Sequence, residues 1–276
     1  RVEAIYSSLV PSRDHVRVLY VHHRPQLGGA PSSLATLIES LDPRFEPHVY
    51  CPPGPAAELF ARAGARVHTG PVSIFAHSWD RPYKGLLWLL VGREALALPG
   101  HVARLNALVA RHRFPIVHLN DSPLLPAAWV ARRRRARVVW HLRSALAGEG
   151  RDARSRAIAR LMDRWGDAAI AIDGDVAERF PLHLPLTIVH NSARLPGPGV
   201  GALEAKRLLG LPEDRVAIGF AGFVRRQKGW PELVEAARIL VREGVPAHFV
   251  IMGGGVRPPA WFRSALRRET TDARIW

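Results

Sequence analysis

Short apolar runs alternate with amphipathic stretches along most of the chain, and this pattern predicts strands and helices in turn. Residues 16–23 are apolar on both faces and predict a buried strand. In the stretch that follows, apolar residues recur at helical spacing: Leu34, Leu37, Ile38 and Leu41. Gly28 and Gly29 fall between the two, so the first unit is a strand, a glycine loop and a helix.

The same unit recurs through the first two thirds of the chain. The pattern predicts further strands over residues 47–52, 65–70, 115–121, 137–144, 167–173 and 187–191. It predicts helices over residues 56–64, 100–112, 124–136 and 151–165. Such alternation is typical of a parallel sheet covered by helices.

A stretch rich in proline and glycine, residues 196–199, predicts a linker, and a second series follows it. That series has strands over residues 215–222, 247–255 and 273–276 and helices over 229–244 and 261–269. A doubly wound domain generally has five or six strands, so we expect the second domain to be incomplete. The predicted organisation is a lead segment (1–15), a Rossmann-like domain (16–186), a linker (187–201) and a partial Rossmann-like domain (202–276).

Composition is that of a soluble globular protein, with 47% hydrophobic and 23% charged residues in 276. The longest apolar run, residues 86–91, is far shorter than the roughly 20 residues that span a bilayer. The single cysteine, Cys51, excludes an internal disulfide and fits a reducing compartment, so we expect a cytoplasmic protein.

The net charge of +15 favours anionic ligands such as nucleotides, phosphates, anionic lipid or nucleic acid. The densest basic run, residues 131–137, has two interpretations. It is a helix C-terminus, where cations complement the helix dipole, or it docks on an anionic membrane with residues 85–91 as an apolar contact. Nucleic-acid binding is not expected, because no recognised motif or aromatic platform accompanies the charge.

Polar or glycine-rich loops follow four predicted strands, and ligands of open parallel sheets lie at such carboxyl ends. The first loop holds Gly28 and Gly29, which allow close backbone approach or form a plain turn. Asn120 ends the second strand, in the stretch 118–121. His141 and Arg143 leave one face of the third strand together, where an arginine can bind phosphate and a histidine can donate to an oxygen.

The fourth loop follows Gly222 and carries Arg225, Arg226 and Lys228 before a helix that begins near Trp230. The helix N-terminus already favours an anion, so a phosphate site and a solvated basic loop are both open on position alone.

The order of these motifs resembles the family 4 nucleotide-sugar glycosyltransferases, which have the GT-B fold of two Rossmann-like domains. The resemblance runs from about Val16 to the last residue. It is carried by segments similar to the family's motifs: GGAPSSLATLIESL, VVWHLRS, DAAIAIDGDVAERF, IVHNSARL, GFVRRQKGWPELVEAARIL and FVIMGGG. The glycine–basic–lysine element from Gly222 onward is the most specific of them.

The resemblance implies a glycosyltransferase that moves a sugar from a nucleotide-diphosphate sugar, such as a UDP- or GDP-sugar, to a glycan, lipid or small-molecule acceptor. It implies retention of anomeric configuration and no metal or resident cofactor. His141 and Lys228 would be catalytic, and Lys228, Arg225, Arg226 and Gly222 would bind the donor diphosphate. Gly253 and Gly255 would lie at the nucleotide, and the cleft and acceptor side would comprise Gly28, Gly29, Asn120, Arg143 and Asn191.

Two departures from the family pattern stand out. Phe223 occupies the position of the motif arginine, so either Arg225 or Arg226 substitutes for it or the diphosphate loses a ligand. The family's Glu-x7-Glu motif lies further along than this sequence extends, so we expect a truncated chain. Glu235 and Glu243 have that spacing, but about 80° separates them around a helix, and we interpret them as ordinary solvent-facing residues.

Three hypotheses follow from the sequence. The first is a glycosyltransferase acting in the cytoplasm or at the inner face of the membrane, with a nucleotide sugar and a glycan or lipid-linked acceptor as partners. The second is a non-catalytic nucleotide- or glycan-binding remnant. The third is a basic protein that binds membrane or nucleic acid.

Overall fold

The chain forms two compact units, Arg1–Arg194 and Leu195–Trp276. The computed structural model describes residues 1–11, 14–74, 87–144, 152–192, 197, 199–222 and 228–252, and it describes only the backbone of 87–91. Each unit holds a parallel sheet, and the predicted α/β class with Rossmann-like sheets is confirmed.

The first unit contains one sheet of seven parallel strands. The strands are β1 (Val16–Val21), β2 (Phe45–Cys51), β3 (Arg66–Thr69), β4 (Ile116–Asn120), β5 (Arg137–Leu142), β6 (Ala168–Ala171) and β7 (Leu186–Ile188). Their spatial order is β3-β2-β1-β4-β5-β6-β7. The order of the strands reverses between β1 and β4, and open sheets of this kind bind ligands beside the carboxyl ends of the strands at that point.

Helices cover both faces of this sheet. They are α1 (Val2–Leu9), α2 (Gly29–Glu39), α3 (Pro55–Arg62), α4 (Leu87–His112), α5 (Leu125–Arg133), α6 (Ala153–Trp165) and α7 (Gly174–Glu178). One face packs on α4 to α6 through buried residues such as Trp140 and Met162, and the other packs on α1 to α3 through Leu34 and Phe60.

Helix α1 lies within residues 1–15, for which the polar pattern predicts no element. Its side chains Val2 and Tyr6 are buried against the sheet, Tyr6 completely. The helix is short, so its stability comes from this packing rather than from its own hydrogen bonds.

The predicted helix over 100–112 is the second half of a longer one, since α4 extends over 26 residues and contains Pro99. Among the described helices, α4 included, none is both long and apolar enough to cross a membrane.

The basic run 131–137 lies at the end of α5 and the start of β5. This position agrees with the interpretation that the run is a helix C-terminus. Arg132 and Arg137 form ion pairs with Asp167, at 3.4 and 2.8 Å. Arg134 donates to Asn106 Oδ1 at 2.7 Å. Much of this charge is therefore engaged in holding neighbouring elements together.

The second unit contains α8 (Ala202–Leu208), β8 (Val216–Ala221), α9 (Trp230–Arg242) and β9 (Ala247–Met252). Strands β8 and β9 pair in parallel. Trp230 is fully buried at the start of α9, where its ring lies 4.4 Å from that of Phe220. The helix and strand predicted over 261–269 and 273–276 lie outside the described residues.

Candidate active site at the carboxyl ends of β1, β4 and β5

Polarity rises along three neighbouring strands towards their carboxyl ends, on the sheet face covered by α1 to α3. Side chains two residues apart in a strand share a face. On each of the three strands, this face begins with an apolar side chain and ends with a polar one. The side chains in chain order are Val18, Tyr20 and His22 along β1 and just after it; Ile116, His118 and Asn120 in β4; and Val139, His141 and Arg143 along β5 and just after it. Asn120 is the register partner of His141, so the polar ends lie side by side at the point where the strand order reverses.

Arg143 is the centre of this polar group. Its Nε donates to Asn120 Oδ1 at 2.7 Å, and its Nη1 donates to Ser33 Oγ at 2.6 Å and to Asn191 Oδ1 at 2.8 Å. Its Nη2 donates to His141 Nδ1 at 3.4 Å. The guanidinium thereby connects β4, β5, helix α2 and the segment after β7.

All four of these acceptors are neutral. Burial lowers the pKa of Arg143 to about 10, against the attraction of Asp121, so the guanidinium stays charged at neutral pH. Among the described residues no carboxylate forms an ion pair with Arg143. The site therefore holds a fixed positive charge that an anionic ligand can neutralise.

The guanidinium also determines where two neighbouring histidines carry their protons, because arginine can only donate. Asn120 turns its Oδ1 to Arg143, so its Nδ2 donates to His22 Nδ1 at 3.0 Å. His141 Nδ1 accepts from Arg143 Nη2. We therefore assign the proton to Nε2 in both rings.

Both of these Nε2 atoms are buried and have no hydrogen-bond partner among the described residues. A buried N–H without an acceptor costs about 1–3 kcal/mol, so it needs a physical explanation. An oxygen atom of a bound ligand would supply the missing acceptor.

A line of buried hydrogen bonds continues from His141 to helix α1. His118 Nε2 lies 3.0 Å from His141 Nδ1, and His118 Nδ1 lies 2.7 Å from the hydroxyl of Tyr6. Since His141 Nδ1 is an acceptor, His118 carries its proton on Nε2 and the Tyr6 hydroxyl donates to Nδ1. The Tyr6 hydroxyl is also 3.2 Å from that of Tyr20.

The rings in this line are neutral. Burial lowers the pKa of His118 to about 3 and that of His22 to about 3, and the charge of Arg143 acts in the same direction. Burial also holds the pKa of His141 well below its ordinary value, again with Arg143 adding to the effect. His141 is thus a hydrogen-bond donor of fixed orientation rather than a cation.

The side chain of Asp121 links the ends of β4 and β5 through hydrogen bonds. Its carboxylate accepts from the backbone N–H of Ser122 at 2.8 Å and from Ser144 Oγ at 3.1 Å. Burial raises the pKa of Asp121, and these hydrogen bonds oppose the shift. Its φ of 121° is rare for a residue other than glycine, and such backbone strain concentrates at functional sites.

A sequence model of the glycosyl transferase 4-like domain matches residues 28–183, more than half of the chain. The chain belongs to the glycosyl transferase 4-like family. The matched range contains Asn120, His141 and Arg143, so the polar strand ends lie inside the family domain.

Solved structures with the same fold include three with UDP or a glycosyltransferase assignment. HepE (Alr3699) of Anabaena, solved with UDP and glucose, is 16% identical and superposes with a TM-score of 0.72 over 95% of this chain and 68% of its own. A glycosyltransferase from Rickettsia africae is 10% identical, with a TM-score of 0.64 over 95% and 68%. MnaA of S. aureus, solved with UDP, is 11% identical, with a TM-score of 0.57 over 94% and 67%. At these identities the likeness establishes the fold.

This glycosyl transferase 4-like chain spans about two thirds of the length of those structures. A search of curated protein sequences found no match.

The structure brings four of the predicted site residues of the first unit together: Asn120, His141, Arg143 and Asn191. Gly28 and Gly29 lie at the start of α2, one turn before Ser33. A Cβ atom at Gly29 would meet nothing within 4 Å, and Gly28 has an extended backbone that any residue adopts. The fold itself therefore gives no steric reason for a glycine at position 29.

In the second unit, Lys228 lies in a turn directly before α9. Gly229 follows it with a φ of 80°, a left-handed conformation that favours glycine, and Trp230 anchors the helix. Lys228 is exposed and forms no hydrogen bond or ion pair with a described residue. Gly222 directly follows β8 with a φ of 153° and donates its N–H to Met252 O at 2.9 Å. Arg225, Arg226, Phe223, Gly253 and Gly255 lie outside the described residues.

Glu235 is exposed on α9 and forms ion pairs with Arg238 and Arg242, at 3.4 and 3.7 Å. Glu243 is also exposed, directly after the last residue of α9. The prediction that this pair faces solvent is confirmed. Across the described part of the chain, no group of three or more His, Cys, Asp or Glu side chains could hold a metal ion.

Sequence reasoning assigned no individual role to six residues of the site, although three of them lie in strand ends that it marked: Tyr6, His22, Ser33, His118, Asp121 and Ser144. His118 is a polar residue inside an apolar strand, and His22 directly follows a strand. Either pattern could have indicated a site residue. No local signal points to Tyr6, which is 112 positions from His118 in the sequence.

Proposed function

We propose that this chain transfers a glycosyl group from a nucleoside-diphosphate sugar to a hydroxyl group of an acceptor. The observation that carries the proposal is the unpaired charge of Arg143 beside the unpartnered Nε2–H of His141, at the point where a Rossmann-like sheet binds ligands. A fixed cation and oriented N–H donors suit a ligand rich in phosphate and hydroxyl oxygens. Membership of the glycosyl transferase 4-like family supports the same conclusion.

His141 would donate its Nε2–H to an oxygen of the donor, either a sugar hydroxyl or a phosphate oxygen. The tautomer set by Arg143 and His118 makes this donor permanent, so no reorganisation is needed during the reaction. Arg143, Asn120 and Asn191 would form the acceptor side, with Gly28 and Gly29 allowing the ligand to approach the backbone.

In the second unit, Lys228 would neutralise the diphosphate as the bond between the anomeric carbon and the phosphate oxygen breaks. The acceptor oxygen then bonds to that carbon, its hydroxyl proton passes to the departing phosphate oxygen, and nucleoside diphosphate leaves. Arg225, Arg226 and Gly222 are proposed as further diphosphate ligands, and Gly253 and Gly255 as nucleotide contacts. We propose retention of anomeric configuration, which NMR of the product would test.

UDP is the first nucleotide to try, because HepE of Anabaena and MnaA of S. aureus were both solved with it. Isothermal calorimetry with UDP and GDP would compare the wild type with Lys228→Ala. Loss of one charge-assisted contact, worth roughly 1.5–3 kcal/mol, should weaken binding about 10- to 100-fold.

The matched control is Arg242→Gln, which removes one exposed charge from the same unit away from the turn that holds Lys228. Its affinity for nucleotide should stay close to that of the wild type. Equal weakening in both variants, or no binding of either nucleotide, would count against the proposed diphosphate site.

We also propose that the acceptor is presented at an anionic membrane, at its inner face. An apolar groove of about 440 Å³ between α4, α5 and α6 supports this contact, with Trp129, Leu161 and Trp165 in its lining. Arg133 lies over the Trp129 ring at 4.9 Å, so charge and apolar surface are adjacent, as at membrane interfaces. The fraction of protein that sediments with anionic vesicles should be lower for Trp129→Ala than for the wild type. An unchanged fraction would contradict the proposed membrane contact.

A further inference from the structure

A second concave surface lies at the opposite end of the sheet from β7. It is a groove of about 570 Å³ between the edge strand β3 and helix α4. Because β2 and β1 separate β3 from β4, the groove is roughly 14 Å or more from the polar ends of β4 and β5. Its volume is within the range of small-molecule sites.

Three arginines line this groove: Arg66 at the start of β3, and Arg104 and Arg111 on α4. Arg104 and Arg111 are seven positions apart and so share a helix face, and the small side chain of Ala107 leaves space between them. None of the three forms a hydrogen bond or ion pair with a described residue. This contrasts with Arg132 and Arg137, which share Asp167.

Two neutral histidines, His68 and His112, also line the groove. His68 Nε2 lies 2.9 Å from His48 Nδ1, and His48 Nε2 is 3.0 Å from Glu46 Oε1. The nearby Glu46 carboxylate is thus hydrogen-bonded to His48 and forms no ion pair with a described arginine. His112 lies beside His68, with ring centroids 5.2 Å apart.

The arginines act on these two rings through space. Burial lowers the pKa of His68 to about 4, with His48, His112, Arg66 and Arg111 adding to the effect. Burial, Arg111, Arg66 and Arg17 likewise lower the pKa of His112. Burial and the neighbouring arginines therefore both favour the neutral form of these two imidazoles.

We propose that this groove is a second ligand site, separate from the transfer site, that binds a phosphate group. Three guanidinium groups without a carboxylate partner match a dianion, whereas one carboxylate would leave most of their charge uncompensated. The two histidines can gain protons as the anion binds and add to its neutralisation. The site takes the phosphate of a soluble phosphate ester or of a lipid headgroup.

The test is a titration with inorganic phosphate at constant ionic strength, followed by histidine NMR and by calorimetry on the full chain. Bound phosphate should raise the pKa of His68 and His112. The double variant Arg104→Gln/Arg111→Gln should lose that rise and weaken phosphate binding about tenfold or more. Both positions are exposed on a helix and glutamine is a good helix former, so the fold should be retained.

The matched control is Arg160→Gln/Arg164→Gln, which removes the same charge from exposed positions of α6. The control should respond to phosphate as the wild type does. If both double variants weaken phosphate binding equally, the attraction comes from the net charge of +15 and the proposed site is wrong.

Two further arms distinguish the source of the phosphate. Glycerol phosphate represents a soluble ester, and vesicles with phosphatidic acid represent a headgroup. If Arg104→Gln/Arg111→Gln weakens binding of either ligand, the result supports the site and identifies the source of the phosphate. If the double variant weakens binding of neither ligand, the proposed site is wrong. Nucleotide binding that depends on Lys228 is measured separately, so each proposal can fail without the other.

Discussion

At the ends of β4 and β5, one guanidinium fixes the protonation of two imidazole rings. Arg143 can only donate, so it orients the amide of Asn120 and makes His141 Nδ1 an acceptor. Both His22 and His141 are left with a buried Nε2–H that lacks a partner among the described residues. This arrangement costs stability in the free protein, and under the proposed function a ligand oxygen would accept from these donors.

Tyr6→Phe tests whether helix α1 contributes a hydrogen bond to His118. Removing the hydroxyl leaves His118 Nδ1 without its donor, so the ¹⁵N shift of Nδ1 should move towards that of an unbonded ring nitrogen, while the Nε2–H tautomer persists because His141 Nδ1 still accepts from it. The free energy of unfolding should fall by about 1–3 kcal/mol because a buried acceptor is left unpaired. Long-range ¹H–¹⁵N NMR of labelled histidine reports the ¹⁵N shifts and the tautomers, and denaturant titration reports the stability.

Tyr20→Phe is the matched control, since it removes a neighbouring hydroxyl but keeps the contact between Tyr6 and His118. It should leave the ¹⁵N shift of His118 Nδ1 and the Nε2–H tautomers of His118 and His141 unchanged. Identical histidine spectra for the two variants would show that Tyr6 has no special role.

The sequence predicts part of this site and not the rest. His141 and Arg143 could be predicted because period-two alternation in a strand puts them on one face. The central position of Arg143 in the network could not be predicted, because its partners Ser33 and Asn191 are 110 and 48 positions away in the sequence. Tyr6 belongs to an element that forms only through tertiary packing, which local pattern does not encode.

At the scale of elements, most strands follow from their apolar runs, whereas helix limits depend on packing. Helix α4 starts well before the predicted residue 100, and Pro99 lies inside it. Proline normally predicts a helix boundary, and here the packing of α4 on the sheet prevails over that local preference.

The connection from α6 to β6 depends on close approach at Gly166. A Cβ atom there would lie 2.7 Å from Trp140 Nε1 and 2.8 Å from the carbonyl oxygen of Met162. Trp140 is fully buried and donates to that carbonyl, so neither atom can move freely. Gly166→Ala should lower the free energy of unfolding by about 1–3 kcal/mol, measured by denaturant titration.

Gly174→Ala provides the comparison, because a Cβ atom at Gly174 would meet nothing within 4 Å. The expected change is within about 0.5 kcal/mol of the wild type. Equal stability of the two variants would contradict the packing described for Trp140.

At the scale of the whole molecule, the large positive charge has more than one use. In the basic run 131–137, Arg132 and Arg137 share Asp167 and Arg134 bonds to Asn106, so part of the charge is structural. Other cations, such as Arg143 and Lys228, have no carboxylate partner among the described residues. We propose that these cations, rather than the total charge, determine where an anionic ligand binds.

The measurement that tests the proposed function most directly is the release of nucleoside diphosphate from UDP- and GDP-sugars by the full chain. We expect release with at least one donor. His141→Gln should lower kcat about 10²- to 10³-fold while nucleotide affinity by calorimetry stays within about twofold, because the proposed hydrogen bond of His141 strengthens as charge develops in the transition state. If the folded wild type binds nucleotide but releases no nucleoside diphosphate from any donor, the result would contradict glycosyl transfer and favour the hypothesis of a nucleotide-binding remnant. Equal rates for the wild type and His141→Gln would contradict the role of His141.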